Sequence, residues 1–212
     1  MDKTPAPTVI SRSVAEGEVP VRRGRGRRPT DEVRRDILSA AGALLLDEGM
    51  TSFTIERVAA RAGVSKTSIY KWWPSKGALA LDGYFATVEN TLAFPDTGDI
   101  ETDLLTQLRA FAHLTTDTAA GRVVKELIGA AQTDTDLAAA YREHYSGPRR
   151  RLAVEVLSRA QRRGEIRADV DPRIVVDQLW GACYHRLLIP DEPITEDFVV
   201  GLVSNLMRGI RS

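Results

Sequence analysis

The feature that most constrains the fold of this chain is a pair of short helical segments that meet at a glycine. Thr54 precedes the first segment, Ile55 to Ala62, and Ser65 precedes the second, Lys66 to Trp72. Thr and Ser oxygens accept hydrogen bonds from the free N–H groups at a helix start, so both residues suit a capping position. Gly63 lies between the segments, where a tight turn favours a residue that tolerates positive φ. The spacing predicts a helix-turn-helix.

The residues of this hairpin divide into an apolar inner set and a polar outer set. Ala59 is small enough for two helices to cross closely, and Val58, Val64 and Ile69 are placed to form the core between them. The outward positions of the second helix are Lys66, Thr67, Ser68 and Lys71. Small hydroxyls and cations of this kind reach base edges and phosphates in the major groove of DNA. The alternative is an ordinary helical hairpin with a solvated face.

The remainder of the chain repeats apolar residues with helical spacing, without strand-like alternation and without an internal repeat. An amphipathic helix that Thr30 caps is expected before the hairpin, with Gly49 as its stop. Beyond a Pro/Asp/Gly-rich joint at residues 94–99, apolar stripes predict further helices. These lie at residues 104–112, 123–131, 137–163 with a break at Gly147-Pro148, 171–188 and 195–208. The fold class is therefore predicted to be all-α.

Charge is distributed unevenly along the 212 residues, although the formal net charge is zero. Residues 1–80 hold 14 Lys/Arg and 9 Asp/Glu, whereas residues 81–212 hold 15 and 20. The first part therefore carries a net +5 and the second a net −5. Such an asymmetry indicates that the first part binds a polyanion.

Several other classes of protein are disfavoured by the sequence. The longest apolar runs are too short to cross a bilayer, and no hydrophobic segment follows Met1. A single cysteine, Cys183, excludes an internal disulfide framework and fits a reducing cytoplasm. The three histidines show no metal-ligand spacing, and no phosphate loop or nucleophile motif is present. We therefore expect a cytoplasmic protein that is not an enzyme and has no cofactor.

Residues 31–82 resemble the DNA-binding domain of the TetR family of bacterial regulators. The matching residues are Thr54-Ile55, Val58-Ala59, Ala62-Gly63-Val64-Ser65 and the run Ile69-Tyr70-Lys71-Trp72-Trp73-Pro74-Ser75-Lys76-Gly77-Ala78-Leu79. The match covers about a quarter of the chain and is specific in combination. The resemblance implies a dimer that binds a palindromic operator, mostly as a repressor, and that a small molecule releases.

The resemblance also implies roles for individual residues. Thr54 and Lys76 match positions that touch phosphates. The recognition helix is matched by Ser65, Lys66, Thr67, Ser68, Tyr70 and Lys71. Trp73 matches a core aromatic position. Trp72 matches a position near the DNA backbone, and both a DNA contact and a packing role are compatible with it.

The N-terminal 29 residues contain four prolines, few large apolar residues and a basic cluster, so we expect a disordered basic arm. Arg25, Arg27 and Arg28 resemble arms that insert arginines into narrow minor grooves. The alternative is a basic tail that adds only nonspecific phosphate affinity. Residues 30–76 are then the predicted helix-turn-helix domain, and residues 77–212 a helical effector-binding and dimerisation domain.

In the larger part, aromatic residues with polar handles are the candidates for ligand contact. They are Phe85, Phe111, His113, Tyr141, Trp180 and Tyr184. The family places its dimer interface in the last two helices, and the final helix carries an apolar stripe from Phe198 to Met207. Two other hypotheses remain open at this stage: a dimeric DNA-binding regulator with no small-molecule ligand, and a helical enzyme or carrier with an incidental hairpin.

Overall fold

In the computed structural model, residues 29–189 and 192–212 are described, apart from the side chain of Asn90. The basic arm with Arg25, Arg27 and Arg28 lies outside these residues. The described residues form ten α-helices: α1 Thr30–Ser52, α2 Ile55–Ala62, α3 Lys66–Tyr70, α4 Lys76–Val88, α5 Ile100–Asp117, α6 Ala119–Ala131, α7 Thr135–Tyr141, α8 Gly147–Arg163, α9 Pro172–Leu188 and α10 Glu196–Ile210. Their β-structure is limited to one isolated bridge between Ile166 and Arg211. The all-α prediction is confirmed.

Most of the predicted helix starts are formed as the sequence indicates. Side-chain oxygens of Thr54, Ser65, Asp171 and Thr195 accept backbone N–H bonds at the starts of α2, α3, α9 and α10. Thr30 is an exception, because Pro29 holds the capping position and no side chain caps α1. Helix α1 still begins at Thr30, because Pro29 has non-helical dihedrals and lies outside the helix.

Three helix ends differ from the sequence-based boundaries. α1 continues to Ser52 across a kink at Gly49, whose φ of 76° is accessible to glycine. α3 ends at Tyr70 rather than Trp72, because the N–H of Trp72 bonds to the carbonyl of Ile69 and closes a turn. α10 extends to Ile210, two residues beyond the predicted end.

The predicted break near Gly147-Pro148 is a π-helical turn, Arg142–Ser146, between α7 and α8. The N–H of Gly147 bonds to the carbonyl of Arg142, five residues earlier. A Cβ at position 147 would lie 2.5 Å from that carbonyl oxygen, so only glycine permits this backbone approach. Pro148 has no N–H to donate, which favours the start of a new helix here.

Helix α4 joins the N-terminal helices to the rest of the molecule. It packs against α1, α6 and α7, and Gly83 approaches α1 so closely that an added Cβ would lie 2.7 Å from Cβ of Ala41. The end of α1 is also held by α6, because the N–H of Met50 donates to Oε2 of Glu126 at 2.6 Å. α1 is therefore in direct contact with both α4 and α6.

A single buried apolar cluster extends from α1 to α10. α5 packs against α6, α8 and α10, and α9 packs against α8 and α10. The predicted apolar stripes of α5 and α6 are buried, with Leu104, Leu108, Val123 and Leu127 fully enclosed. No helix among the described residues has the length and apolar character needed to span a membrane.

Candidate nucleic-acid interface and ligand cavity

The hairpin of α2 and α3 has the geometry that the sequence predicts. Gly63 adopts a left-handed conformation with φ 66° and ψ 36°, and the N–H of Val64 bonds to the carbonyl of Ala59. Val58 and Ile69 are completely buried between the helices. Arg57 of α2 donates to the carboxylate of Glu48 in α1 through its two terminal nitrogens, Nη1 and Nη2. The hairpin is therefore a packed helix-turn-helix that is fastened to α1.

The outer face of α3 is open to solvent. Lys66, Thr67, Tyr70 and Lys71 are exposed. Tyr70 is a large aromatic residue that stays 53% exposed, so packing within this chain does not account for it. Ser65 and Ser68 sit beside this face with their hydroxyl oxygens 2.9 Å apart.

Lys66 already has a partner within the protein. Its Nζ lies 3.0 Å from Oε1 of Glu56, and both side chains are more than half exposed. A hydrogen bond to the backbone of Glu56 and the neighbouring Lys66 lower the pKa of the Glu56 carboxyl. An exposed ion pair of this kind contributes little free energy, so Lys66 can leave Glu56 and bind a phosphate.

The remaining predicted interface residues are Thr54, Trp72 and Lys76. Thr54 uses its hydroxyl to cap α2, accepting the N–H of Arg57 at 3.3 Å. Lys76 is exposed at the start of α4. Trp72 is half-buried and packs edge-on against Trp73, with ring centroids 5.8 Å apart. Trp73 is only 2% exposed, so the prediction of a core position is confirmed.

A chain of hydrogen bonds connects the hairpin to the π-helical turn. The indole Nε1 of Trp73 donates to Oδ2 of Asp82 in α4 at 2.8 Å. The other carboxylate oxygen of Asp82 lies 3.1 Å from Nδ1 of His144 in the π-helical turn. Asp82 therefore contacts both Trp73, which follows α3, and His144, in the turn that borders the cavity described next.

A cavity of about 580 Å³ opens between α5, α8 and α9. Its volume is within the range of small-molecule sites. The wall is mostly aromatic and aliphatic, with a few polar groups at separate points. It is formed by Phe94, Gln107, Phe111, Arg142, Tyr145, Ser146, Gly147, Arg149, Arg150, Leu152, Ala153, Val176, Asp177, Trp180, Gly181 and Tyr184.

Three of the six predicted ligand residues line this cavity: Phe111, Trp180 and Tyr184. Two others lie behind its wall. The hydroxyl of Tyr141 is 3.2 Å from that of Tyr184, and the ring of Phe85 stacks on Tyr145 at 3.9 Å.

His113 lies elsewhere. Its side chain is 66% exposed on α5 and is paired with Asp117 four residues later. Two residues after Phe111, it faces roughly 200° around the helix from that ring, away from the cavity.

The tyrosines around the cavity are held in their neutral form. Burial is the main cause that raises the pKa of Tyr141, Tyr145 and Tyr184 far above the ordinary value. The hydroxyl of Tyr184 therefore remains a hydrogen-bond donor and acceptor at every physiological pH.

Sequence reasoning missed the polar residues of the wall other than the tyrosine hydroxyls, among them Gln107 and Arg149. Both donate to the carbonyl oxygen of Leu92, Gln107 through Nε2 and Arg149 through Nη2. The signal for Gln107 was present, because this amide falls within the apolar stripe of α5 between Leu104 and Phe111. Arg149 follows Pro148 in a basic run, and no local pattern distinguishes it from its neighbours.

A solvent-facing helix-turn-helix, joined through α4 to a helical body with a cavity, is typical of one class of transcriptional regulators. Comparison with known proteins supports this class. Residues 37–82 match the family "Bacterial regulatory proteins, tetR family", and residues 94–206 match "Tetracyclin repressor-like, C-terminal domain". The chain belongs to the TetR family of transcriptional regulators.

Individual relatives agree with this membership. The uncharacterized HTH-type transcriptional regulator YdeS of Bacillus subtilis is 39% identical, over 87% of this chain and 93% of its own length. The DNA-binding transcriptional repressor TetR of Mycobacteroides abscessus is 33% identical, over 81% of this chain and 90% of its own. The crystal structure of TetR family transcription regulator SCO0332 shares 64% identity and superposes with a TM-score of 0.79, covering 85% of this chain and all of that one.

Proposed function

We propose that this chain is a repressor that binds a palindromic operator as a homodimer and leaves it when a small molecule fills the cavity. The observation that carries the proposal is the path from the cavity wall through the π-helical turn and Asp82 to Trp73, whose N–H bonds to the carbonyl of Ile69 in the proposed recognition helix α3. The M. abscessus relative that is named a repressor supports the direction of control. Such a regulator acts on the chromosome, in the cytoplasm.

DNA contact is assigned to residues 30–76. The exposed Lys71 and Lys76 supply positive charge for phosphates, and Thr67 and Tyr70 supply hydroxyls for base edges. The apposed Ser65 and Ser68 hydroxyls lie at the start of α3, the end that enters the groove in helix-turn-helix proteins. The predicted contacts of Arg25, Arg27 and Arg28 with the minor groove are part of the same proposal.

Dimerisation is assigned to α9 and α10, within residues 77–212. Ile174 and Leu188 of α9 are 57% and 42% exposed, and Val200 of α10 is 41% exposed. Gly201 has open space where a Cβ would be, so a second helix can approach closely there. The predicted α10 stripe is divided: Val199, Val203 and Met207 are buried in their own chain, while Phe198, Leu202 and Leu206 remain half-buried. The latter are available to a second copy.

Release is assigned to a shift of α4. Tyr145, Ser146 and Gly147 at the π-helical turn line the cavity, so a ligand presses directly on the turn that holds His144. His144 contacts Asp82, and Asp82 holds Trp73. The ligand must bind better to the conformation in which the two recognition helices of the dimer no longer match successive grooves.

A mobility-shift experiment tests the proposal. Purified protein is mixed with the DNA flanking its own gene at physiological salt, with excess scrambled DNA as competitor. We expect one discrete complex that the scrambled DNA does not remove. If the only complexes are smeared and disappear with the scrambled competitor, the next experiment selects bound fragments from the whole genome. If that selection also yields no specific operator, the proposed repressor function is refuted.

The specific complex then serves to screen a panel of metabolites for release. We expect at least one compound that dissociates the complex and also raises the melting temperature of the free protein. Specific binding with no releasing compound would instead support the other hypothesis, a dimeric regulator without a small-molecule ligand.

A further inference from the structure

Gln107 is a buried amide whose hydrogen bonding is incomplete. The side chain is 2% exposed and lies in the cavity wall. Its Nε2 donates to the carbonyl of Leu92 at 3.3 Å, but its Oε1 has no hydrogen-bond partner among the described residues. An unpaired buried acceptor destabilises a folded protein, so each one calls for a physical explanation. A donor on a bound molecule would satisfy it.

The Nε2 bond does not by itself explain why an amide stands at this position. The carbonyl of Leu92 also accepts from Nη2 of Arg149, so it would stay paired if Gln107 were apolar. The neighbours of Gln107 on α5 include the buried apolar residues Leu104, Leu108 and Phe111. Asp103, four residues before Gln107, is also buried, but its carboxylate is paired by Thr97. A leucine at position 107 would continue this stripe and would leave no buried acceptor unpaired.

The rest of the wall suits an aromatic molecule. Phe94 and Trp180 lie with ring centroids 6.2 Å apart, and Phe111 and Tyr184 meet edge-on at 5.6 Å. Tyr145 adds a fifth ring. Aromatic side chains pair with one another in offset and edge-on arrangements, and a planar ligand can extend the same contacts.

Two of the cations in the wall are already engaged. The guanidinium of Arg149 bonds to the Leu92 carbonyl and lies 5.5 Å from the centre of the Tyr145 ring. Arg150 is paired with Asp177, whose pKa it lowers. The third, Arg142, is exposed to solvent. Among the buried polar side-chain atoms that the structure describes in this wall, the one without a partner is an acceptor, the Oε1 of Gln107.

We infer that the cavity selects a planar aromatic compound that carries a hydroxyl or N–H donor directed at Oε1 of Gln107. The inference rests on the proposed function only in assigning the cavity to the effector. Gln107 is the residue that distinguishes such a donor from an isosteric compound without one. A site that pairs a ligand hydrogen rejects the analogue that lacks it, because the buried oxygen is then left alone.

Two probes with the same rings test this selection. Binding of 2-naphthol and of 2-methoxynaphthalene to the free protein is measured by isothermal titration calorimetry. The hydroxyl of 2-naphthol can donate to Gln107, and methylation removes that hydrogen. We expect a dissociation constant about tenfold lower for 2-naphthol, the factor that one net hydrogen bond supplies. Equal binding of the two probes, or binding of neither, would overturn the inference.

The variant Gln107→Leu locates the effect. We expect it to weaken 2-naphthol binding until the two probes bind alike, with a melting temperature equal to or higher than that of the wild type. Gln132→Leu is the matched control, because Gln132 is exposed at the end of α6 and its Nε2 bonds within its own helix. The control retains the preference for 2-naphthol. Persistence of that preference in Gln107→Leu contradicts the inference, and the wild-type comparison decides the matter alone if that variant does not fold.

These titrations contain no DNA, so their result is independent of operator binding. If the protein prefers 2-naphthol but forms no specific operator complex, the proposed repressor function is refuted and the inferred ligand class is retained. A specific operator complex with no difference between the probes would refute the ligand class while the repressor stands.

Discussion

The indole of Trp73 donates a 2.8 Å hydrogen bond to the carboxylate of Asp82, which ties the turn that follows α3 to α4. Trp73 is 2% exposed, and the guanidinium of Arg34 in α1 lies 5.7 Å from its ring. The indole thus contacts both α1 and α4. The indole N–H is the only polar group of the Trp73 side chain, so its hydrogen bond to Asp82 is the only polar side-chain contact that it makes with α4.

The variant Trp73→Phe should separate this hydrogen bond from simple packing. Phenylalanine fills most of the site but has no N–H, so we expect a loss of about 1 kcal/mol in the free energy of unfolding, plus a packing loss of similar size. Operator affinity should fall, because α4 is no longer held in register. Urea unfolding and mobility shift measure both effects. Trp72→Phe is the control, and an equal loss of stability in that variant would contradict a special role for the bond.

Lys76 is expected to bind a backbone phosphate. Lys76→Ala should weaken binding to operator and to unrelated DNA alike, and should reduce the slope of log K against log salt by about 1. Fluorescence anisotropy over a range of salt concentrations measures the slope. Lys125→Ala removes an exposed lysine of α6, outside the hairpin, and should leave the slope unchanged. An unaltered slope in Lys76→Ala would show that this lysine does not contact DNA.

Val200 tests the assignment of the dimer interface. A carboxylate at this exposed position of α10 would be buried against a second copy without a partner, so Val200→Asp should produce monomers. Sedimentation velocity gives the oligomeric state. Ala139→Asp places the same charge on an exposed position of α7 and should leave the dimer intact. If Val200→Asp remains a dimer of wild-type stability, α10 does not form the interface.

Gly83 sets the distance between α1 and α4. In Gly83→Ala the new Cβ would lie 2.7 Å from Cβ of Ala41 and 3.1 Å from the backbone nitrogen of Gly42, so the helices must separate. We expect a loss of about 1–3 kcal/mol in unfolding free energy. Gly129→Ala in α6 meets nothing within 4 Å and should gain about 0.5–1 kcal/mol. The unfolding free energies of the two variants, measured by chemical denaturation, should therefore change in opposite directions from the wild-type value.

Cys183 should be chemically inert in the native protein. Burial raises the pKa of its thiol to about 12, so almost no reactive thiolate exists at pH 8, and the side chain is fully enclosed. We expect no reaction with Ellman's reagent in native buffer and one thiol per chain after unfolding in guanidinium. Rapid labelling of the native protein would mean that α9 opens on the timescale of the reaction.

Local features of the fold were predictable because they depend on residues within four positions of one another. The caps at Thr54, Ser65, Asp171 and Thr195 and the left-handed turn at Gly63 each need only neighbouring backbone groups, and all of them are present. The helix-turn-helix is built from such features, which is why the chain sequence identifies it without tertiary information.

The cavity depends on side chains that are distant in sequence. Gln107, Tyr145 and Trp180 meet only because α5, the π-helical turn and α9 converge, and no single helix indicates that meeting. Helical geometry does explain why Phe111 lines the wall and His113 does not: positions four apart share a face, as Gln107 and Phe111 do, whereas positions two apart point in nearly opposite directions. The sequence by itself therefore determined the helical class, most of the helix starts and the DNA-binding hairpin. Only the tertiary structure decided which faces enclose the cavity, because that depends on how the helices pack.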